Sequence, residues 1–397
     1  MKKILAVGRS IYHAMPACLR YFFSPARLIS RLLNVLTVSL WIVAGEEISS
    51  KQKLVIIYAG HEVGKNYLAN LAFGSSYSDS YIGRKWLWEI PKAVKESSCD
   101  CSLMVAEAPK VLRVLFRKTK HLYIPCWVSG EVDISGNDRS FLKNESLKSD
   151  VRKIGKNKLH FEVTNRPSDL RDFYYNMYLP YITKTHGNRS EIVSYDFVKS
   201  EFGERRLLNE LLLVKKEEEY VAGILLGFKS NRAQLWYLGV KDGNFDYVQN
   251  GAIGALFYFS VRYLEEKGFT RIGFGRSRPF LRDGVLRFKR KWNPRIFNEY
   301  TVGFVIRPLS WTDGVKGFFV NNPFIYEDKA ELNGALFVPG DRSLSAKDFK
   351  KIYKDYYLKG LSKLAIYRFG EVDSNTPEAV PLECSGRMTI CSAETIL

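Results

Sequence analysis

AIGALFYFSVRYLEEKGFTRIGFGRS, residues 252–277, reads as a helix, a stop and a strand in immediate succession. Gly268 closes the helix, since a helix commonly ends on a residue in the left-handed conformation that glycine adopts without penalty. RIGFGRS (271–277) is the strand that follows. Upstream, LLNELLLVKK (207–216), YVAGILLGFK (220–229) and AQLWYLGVK (233–241) are three strand candidates joined by the short polar links EEE and SNR. Short polar links of this kind predict an antiparallel meander. Downstream, RPFLRDGVLRFKRKWNPR (278–295) is intensely basic, and NEYTVGFVIRP (298–308) closes as a strand. On the other side, SDLRDFYYNMYL (168–179) starts at an N-cap serine and is predicted to stop at Pro180, with a loop through residue 191.

The chain has 397 residues, 46% of them apolar and 14% aromatic, enough for two or three domains with ample core. It carries 60 Lys and Arg against 42 Asp and Glu, a net charge of +18 and a pI near 9.5. The balance points to an anionic partner: nucleic acid, a phosphorylated ligand or an acidic membrane. The charge is spread along the chain, which argues against a simple nucleic-acid arm. None of the six cysteines forms a CxxC pair, and the five histidines form no HExxH or HxH pattern. A reduced cytosolic protein without a metal is the expectation.

Residues 1–50 form a basic N-terminal segment with no acid before Glu46. Its apolar run LLNVLTVSLWIVAG (32–45) has 14 residues, short of the ~20 a spanning helix needs. It reads as a helix packed on the body, or as a basic helix resting on the inner face of an anionic membrane. Residues 51–140 read as an α/β unit and 136–158 as a polar boundary. Residues 331–370 read as an extension of the main domain at 145–330, and 371–397 as a disordered tail.

Inside the first unit, Ala59-Gly60-His61-Glu62-Val63-Gly64-Lys65-Asn66 approaches a phosphate-binding P-loop. Such a loop needs a Ser or Thr hydroxyl for magnesium after its lysine, and here that position is Asn66. The acid in a Walker-B position would be Glu107, where Asp is usual, and the region is small for a P-loop sheet. The stretch therefore reads as a strand-turn-helix corner with a solvated Lys65.

Residues 207–306 carry a stronger signal. Three antiparallel strands, a loop, a glycine-bearing helix and a further strand resemble the core of the GNAT acyltransferase superfamily. The segments Glu266-Lys267-Gly268-Phe269, Ile272-Gly273-Phe274-Gly275-Arg276 and Gly284-Val285-Leu286-Arg287-Phe288-Lys289-Arg290-Lys291-Trp292-Asn293 resemble its FemAB-like branch, BioF2-like relatives included. That branch usually ends the last motif in Phe-Gly, whereas this chain has Trp292-Asn293. The resemblance rests on 145–310. It implies an α/β (α+β) fold with mixed, mainly antiparallel sheets flanked by helices, in two GNAT-like halves in tandem.

The resemblance also implies a site. In that fold strands four and five, here 235–240 and 271–277, splay apart to admit the donor. The backbone at Leu238, Gly239 and Val240 would face the acyl group, with Tyr237 or Lys289 assisting at the oxyanion. The helix N-terminus at Gln249, Asn250, Gly251 and Gly254 would face a pyrophosphate, since helix N-termini offer orphan donors to anions. The family's Q/R-x-x-G-x-G/A signature is not met in register there. By resemblance Lys289 faces the acyl-donor channel, and Tyr181 and Arg189 lie where the acceptor pocket is shaped.

The residues themselves point the same way. Residues 262–295 hold eleven Lys and Arg against three acids, Glu265, Glu266 and Asp283, an excess of eight. Arg276, Arg278 and Arg282 near the end of a predicted strand suit phosphate or carboxylate. His186 is a candidate general base near neutral pH, and Asp283 a candidate proton acceptor inside the basic run. The expected activity is N- or O-acyl transfer from acyl-CoA (acetyl-CoA) or aminoacyl-tRNA to an amine or hydroxyl, on a cell-envelope sugar or peptidoglycan precursor. The alternative is a non-catalytic nucleic-acid or membrane-surface binder on the same scaffold.

Overall fold

A computed structural model describes residues 36–96, 100–116, 120–136, 140–186, 192–202, 209–229, 232–340, 344–370 and 380–396. The strands, in chain order, are β1 (Thr37–Glu46), β2 (Lys53–Gly60), β3 (Tyr77–Trp86), β4 (Leu103–Pro109), β5 (Leu122–Pro125), β6 (Val128–Asp133), β7 (Leu159–Thr164), β8 (Glu210–Lys216) and β9 (Glu219–Lys229). They continue with β10 (Arg232–Val240), β11 (Arg271–Ser277), β12 (Arg295–Phe297), β13 (Val302–Pro308), β14 (Phe324–Asp328), β15 (Glu331–Val338), β16 (Leu361–Arg368) and β17 (Met388–Ser392). The principal helices are α1 (Glu62–Phe73), α2 (Glu145–Lys156), α3 (Pro167–Asp172), α4 (Leu179–His186), α5 (Ala252–Glu266), α6 (Gly284–Arg290) and α7 (Ala346–Tyr356).

The chain divides into two units. The first takes its described residues from Met1–His121, Val302–Val315 and Ile396–Leu397, and the second from Leu122–Thr301 and Lys316–Thr395. In the first, the sheet order is β3-β1-β2-β4-β13. Only β2 and β4 run parallel, and α1 leaves the C-terminal end of β2.

The apolar run expected as a helix is the strand β1 from Thr37 on, zipped between β2 and β3. Its β-branched Thr37, Val38, Ile42 and Val43 suit a pleated, half-buried surface. Residues 1–35, which carry the rest of the expected basic segment and its membrane contact, lie outside the described residues.

The second unit holds a seven-stranded sheet of order β12-β6-β11-β10-β9-β8-β7. The predicted meander is present: β8, β9 and β10 pair antiparallel in sequence. Helix α5 packs the apolar Ala255, Leu256, Phe259 and Leu264 into the core, alongside Trp292. Trp292 fills the place of the expected Phe with rings at 5.7 Å (Phe141), 5.7 Å (Phe274) and 6.5 Å (Phe257). Asn293 stands at φ 53°, the left-handed region that glycine favours and asparagine tolerates.

Four expectations are corrected by non-local pairing. Strand β6, read as part of the first half, lies in the second unit's sheet between β11 and β12. Strand β13, read as closing the second domain, pairs antiparallel with β4 in the first unit. The boundary at 136–158 therefore falls inside the second unit, which begins at Leu122. Residues 380–396 of the expected disordered tail include β17, which pairs parallel with β16 and completes the sheet β14-β15-β16-β17. Residues 371–379 lie outside the described residues.

The helix predicted to stop at Pro180 instead runs on to His186. It does so through a π-helical stretch, Phe173–Tyr178, just before the proline. Proline in a helix removes one bond and crowds the carbonyl four residues back, and the wider π turn makes room for it.

Candidate functional site

The second unit's sheet opens in its middle. Strands β10 and β11 pair parallel only at Ala233–Ile272 and Gln234–Gly273. Beyond that point each turns to its other neighbour. On β10, Leu235 and Leu238 pair with Leu226 and Ile224 of β9, so β10 carries one extra residue there. Such a bulge bends and twists the strand that bears it. On β11 the register with β6 shifts between Gly273 and Arg276, and Gly275 sits at φ 68°. Gly275 still lies against the Leu235 carbonyl, a Cβ there standing 3.4 Å from it, and past that contact the registers of residues 238–240 and 276–277 are set by β9 and β6.

Leu238, Gly239 and Val240 pair with Ile224, Gly223 and Ala222 of β9, past the last β10–β11 pair. Gly239 has a packing reason to be glycine. A Cβ there would overlap the backbone of Met177 and Tyr178, so the π segment presses directly on β10. Tyr237 emerges in the same stretch, edge-on to Tyr178 at 5.5 Å. Burial pushes its phenol up, and Arg276 opposes that shift.

Arg276 and Arg278 leave the end of β11 on either side of Ser277. Both guanidiniums lie on Trp127, at 4.6 and 3.8 Å from the ring centroid. Arg278 also donates to the Cys126 carbonyl at 3.4 Å. Cation–π contact of this kind holds an arginine fork in place while leaving N–H edges for an anion. Sequence reading gave Trp127 no role, since only the β6–β11 pairing brings it there.

Lys289, on α6, is 7% exposed. Its ammonium donates to the Arg276 carbonyl at 2.8 Å and to Ser277 Oγ at 3.1 Å. Burial lowers its pKa from the ordinary lysine value to about 7, against the pull of Asp283 and with the help of Arg276. Lys289 therefore ties α6 to the strand end that carries Arg276, and near neutral pH it shares its population between amine and ammonium.

Other expected residues are placed elsewhere. Asp283 is the N-cap of α6, accepting the Leu286 N–H at 3.0 Å. Arg282 turns to Tyr356 Oη at 3.1 Å and the Asn321 carbonyl at 3.0 Å, away from Arg276 and Arg278. Tyr181 is half-buried against the core, where burial raises its phenol. His186 is the last residue of α4, with its side chain outside the described residues, as is Arg189.

The expected pyrophosphate seat is covered. Helix α2 lies across the start of α5. Lys153 donates to the Gln249 carbonyl at 2.9 Å, and Asn157 to the Asn250 carbonyl at 2.9 Å. A Cβ on Gly251 would stand 2.9 Å from Lys153 Cβ, and one on Gly254 would stand 2.8 Å from Asp150 Cγ. The Asp150 carboxylate thus lies along the first turn of α5, where an anion is favoured by the exposed N–H dipoles. It also forms an ion pair with buried Lys291. Asp150 and Lys153 of α2 thus pack beside the start of α5.

The near-P-loop of the first unit is built on the same plan. Glu107, at the end of β4, accepts from Tyr58 Oη at 2.7 Å and from the His61 backbone N–H at 2.9 Å, and His61 Nδ1 lies 2.5 Å from it. Cβ atoms on Gly60 and Gly64 would run into that carboxylate. The two glycines make room for Glu107 and not for a phosphate. Lys65, expected to be solvated, is 5% exposed, paired with Asp79 and 5.4 Å from the centroid of the Trp41 ring. Among the described residues no cluster of His, Cys, Asp and Glu could hold a metal ion, and no helix is long and apolar enough to cross a membrane.

No family model and no curated protein matches the chain. Among solved structures it is similar to FemX, at 14% identity and TM-score 0.35, covering 68% of this chain and 84% of that one. It is similar to L-PGS from Bacillus licheniformis, at 12% identity and TM-score 0.35, over 72% and 85%. A GCN5-related N-acetyltransferase from Kribbella flavida follows at 8% identity and TM-score 0.28, over 83% and 78%. These likenesses concern the path of the chain and not its chemistry.

Proposed function

We propose that the chain is an acyltransferase whose donor lies in a wedge between β10 and β11. The carrying observation is the end of β10–β11 pairing at Gln234 and Gly273, followed by a register shift in each strand against its other neighbour, beside Tyr237 and Arg276. An acceptor amine or hydroxyl attacks the donor's carbonyl carbon. The new C–N or C–O bond forms as the thioester or ester bond breaks, and the acceptor's proton ends on the leaving sulfur or oxygen. Backbone N–H groups along 236–240, with the Tyr237 hydroxyl, are placed to stabilise the oxyanion. Arg276 and Arg278, fixed on Trp127, bind the donor's phosphate, and Lys289 positions the strand end that carries Arg276.

Of the two donor classes, aminoacyl-tRNA fits better than acyl-CoA. Asp150 and Lys153 crowd the side of the helix start where a CoA pyrophosphate would approach, and a net charge of +18 suits a nucleic acid. The acceptor is an amine or hydroxyl of the class the FemAB-like resemblance implies, a cell-envelope sugar or peptidoglycan precursor.

Native mass spectrometry of the full chain with acyl-CoAs and charged tRNA tests this, followed by transfer assays on Arg276→Ala and Tyr237→Phe. The expected result is donor binding that Arg276→Ala weakens about tenfold or more, and transfer that Tyr237→Phe slows with little change in KM. If neither donor class binds the wild type, the proposal fails. Salt-sensitive tRNA binding with no turnover would replace it by the nucleic-acid-binding alternative.

A further inference from the structure

At the opposite end of β11 from the wedge, the second unit has a separate cavity of about 280 Å³. It is lined by Arg232, Arg271, Arg295 and Lys359, with Glu131 and Asp133, over a floor that includes Trp292. The sheet register explains the arrangement. Arg295 on β12 stands directly across from Glu131 on β6, Arg271 on β11 is across from Asp133, and Arg232 opens β10. Four neighbouring strands thus place three guanidiniums around one carboxylate.

That carboxylate does not saturate them. Glu131 meets Arg271 at 3.5 Å and Arg232 at 3.7 Å, both longer than a close charge-assisted bond. Arg295 makes no ion pair among the described residues. With four cations and two acids, the lining carries an excess of two positive charges.

The floor supplies an independent observation. Trp292 is 1% exposed, and its indole Nε1–H has no hydrogen-bond partner. A buried indole N–H ordinarily finds an acceptor. Its ring borders the cavity, so the indole signal reports on what binds there.

We propose that this cavity binds a compact dianion of the phosphate-monoester type. Such a group carries about −1.5 to −2 charge at pH 7 and three strong acceptor oxygens. That matches the lining's excess charge and the arginine forks. The site is distinct from the wedge and does not depend on the acyltransferase reading.

The test uses the full chain labelled with ¹⁵N, with Trp292→Phe assigning the Trp292 indole cross-peak. Probes are glucose 6-phosphate, inorganic phosphate, succinate and glucose. The expected result is saturable movement of that cross-peak with glucose 6-phosphate at millimolar concentration or below, none with glucose, and at least tenfold weaker binding in Arg295→Ala. Binding of inorganic phosphate alone would reduce the ligand to the free ion and overturn the monoester assignment. Preferential response to succinate would overturn it in favour of a dicarboxylate. Arg276→Ala is expected to leave this binding unchanged. Loss of binding in Arg276→Ala with retention in Arg295→Ala, or no response of the wild type to any anion, would overturn the site itself.

Discussion

Gly64 lies against the carboxylate of Glu107, so closely that a Cβ at residue 64 would overlap Glu107 Oε1. The same carboxylate receives the Tyr58 hydroxyl and the His61 backbone. Gly64→Ala must therefore displace a buried, hydrogen-bonded acid. We expect a loss of about 2–4 kcal/mol in unfolding free energy, by the overpacking and broken-network mechanisms that produce large mutational effects. Urea denaturation measures it. Asn66→Ser, which restores the hydroxyl of a true P-loop, is expected to confer no magnesium-dependent ATP binding, because Glu107 still fills the turn.

His61 is held by that acid on one face and is 79% exposed in its side chain. Its hydrogen bond to Glu107, with the charge of Glu107 behind it, raises the imidazole above its ordinary pKa, against desolvation and Arg84. An NMR titration of the imidazole is expected to show a midpoint above 6.5, returning toward 6.5 in Glu107→Gln. The contribution to stability is present below 6.5 and fades as pH rises through the raised folded value. A midpoint unchanged by Glu107→Gln would refute this account.

Lys289 carries the opposite sign. Its folded pKa, about 7, lies below the ordinary lysine value of 10.5. Between these values the unfolded chain holds a proton that the folded one has lost. Folding stability should therefore rise with pH across that window, at up to ~1.4 kcal/mol per pH unit, and be lowest at and below pH 7. Lys289→Met should flatten this slope, and the difference between the two proteins' pH–stability curves reads it directly.

Asp150, part-exposed, pairs with buried Lys291, and burial lowers the lysine even though Asp150 raises it. Removing one partner strands the other. Asp150→Ala is expected to cost ~3 kcal/mol, while Asp150→Ala with Lys291→Met should recover most of it. Denaturant midpoints of the four proteins in the cycle settle the coupling. Asp150→Ala also clears the first turn of α5, so weak CoA binding absent from the wild type is an expected gain.

Local physical chemistry in the sequence was enough to place the meander β8-β9-β10, the helix α5 with its glycine stop at Gly268, and β11. Their hydrophobic patterns and turn residues are short-range properties. The basic run after β11 and Lys289 within it were legible for the same reason. The sheet each strand joins was not legible. β1 could pass for a helix because a short apolar run does not reveal its partner, and β6 and β13 were assigned by proximity in sequence when pairing over longer range decides.

The same holds for the site. Sequence supplied Tyr237, Arg276 and Lys289, but not the end of β10–β11 pairing at Gln234 and Gly273, where each strand's register shifts against a different neighbour. Trp127 reaches the two arginines through β6, Glu107 arrives from β4 to fill the near-P-loop turn, and Asp150 arrives from α2 beside the start of α5. Composition set the positive charge and the amount of core. Which cations are buried, which carboxylates meet them and which backbone edges stay open depend on tertiary packing, since desolvation and pairing are properties of neighbours in space and not in sequence.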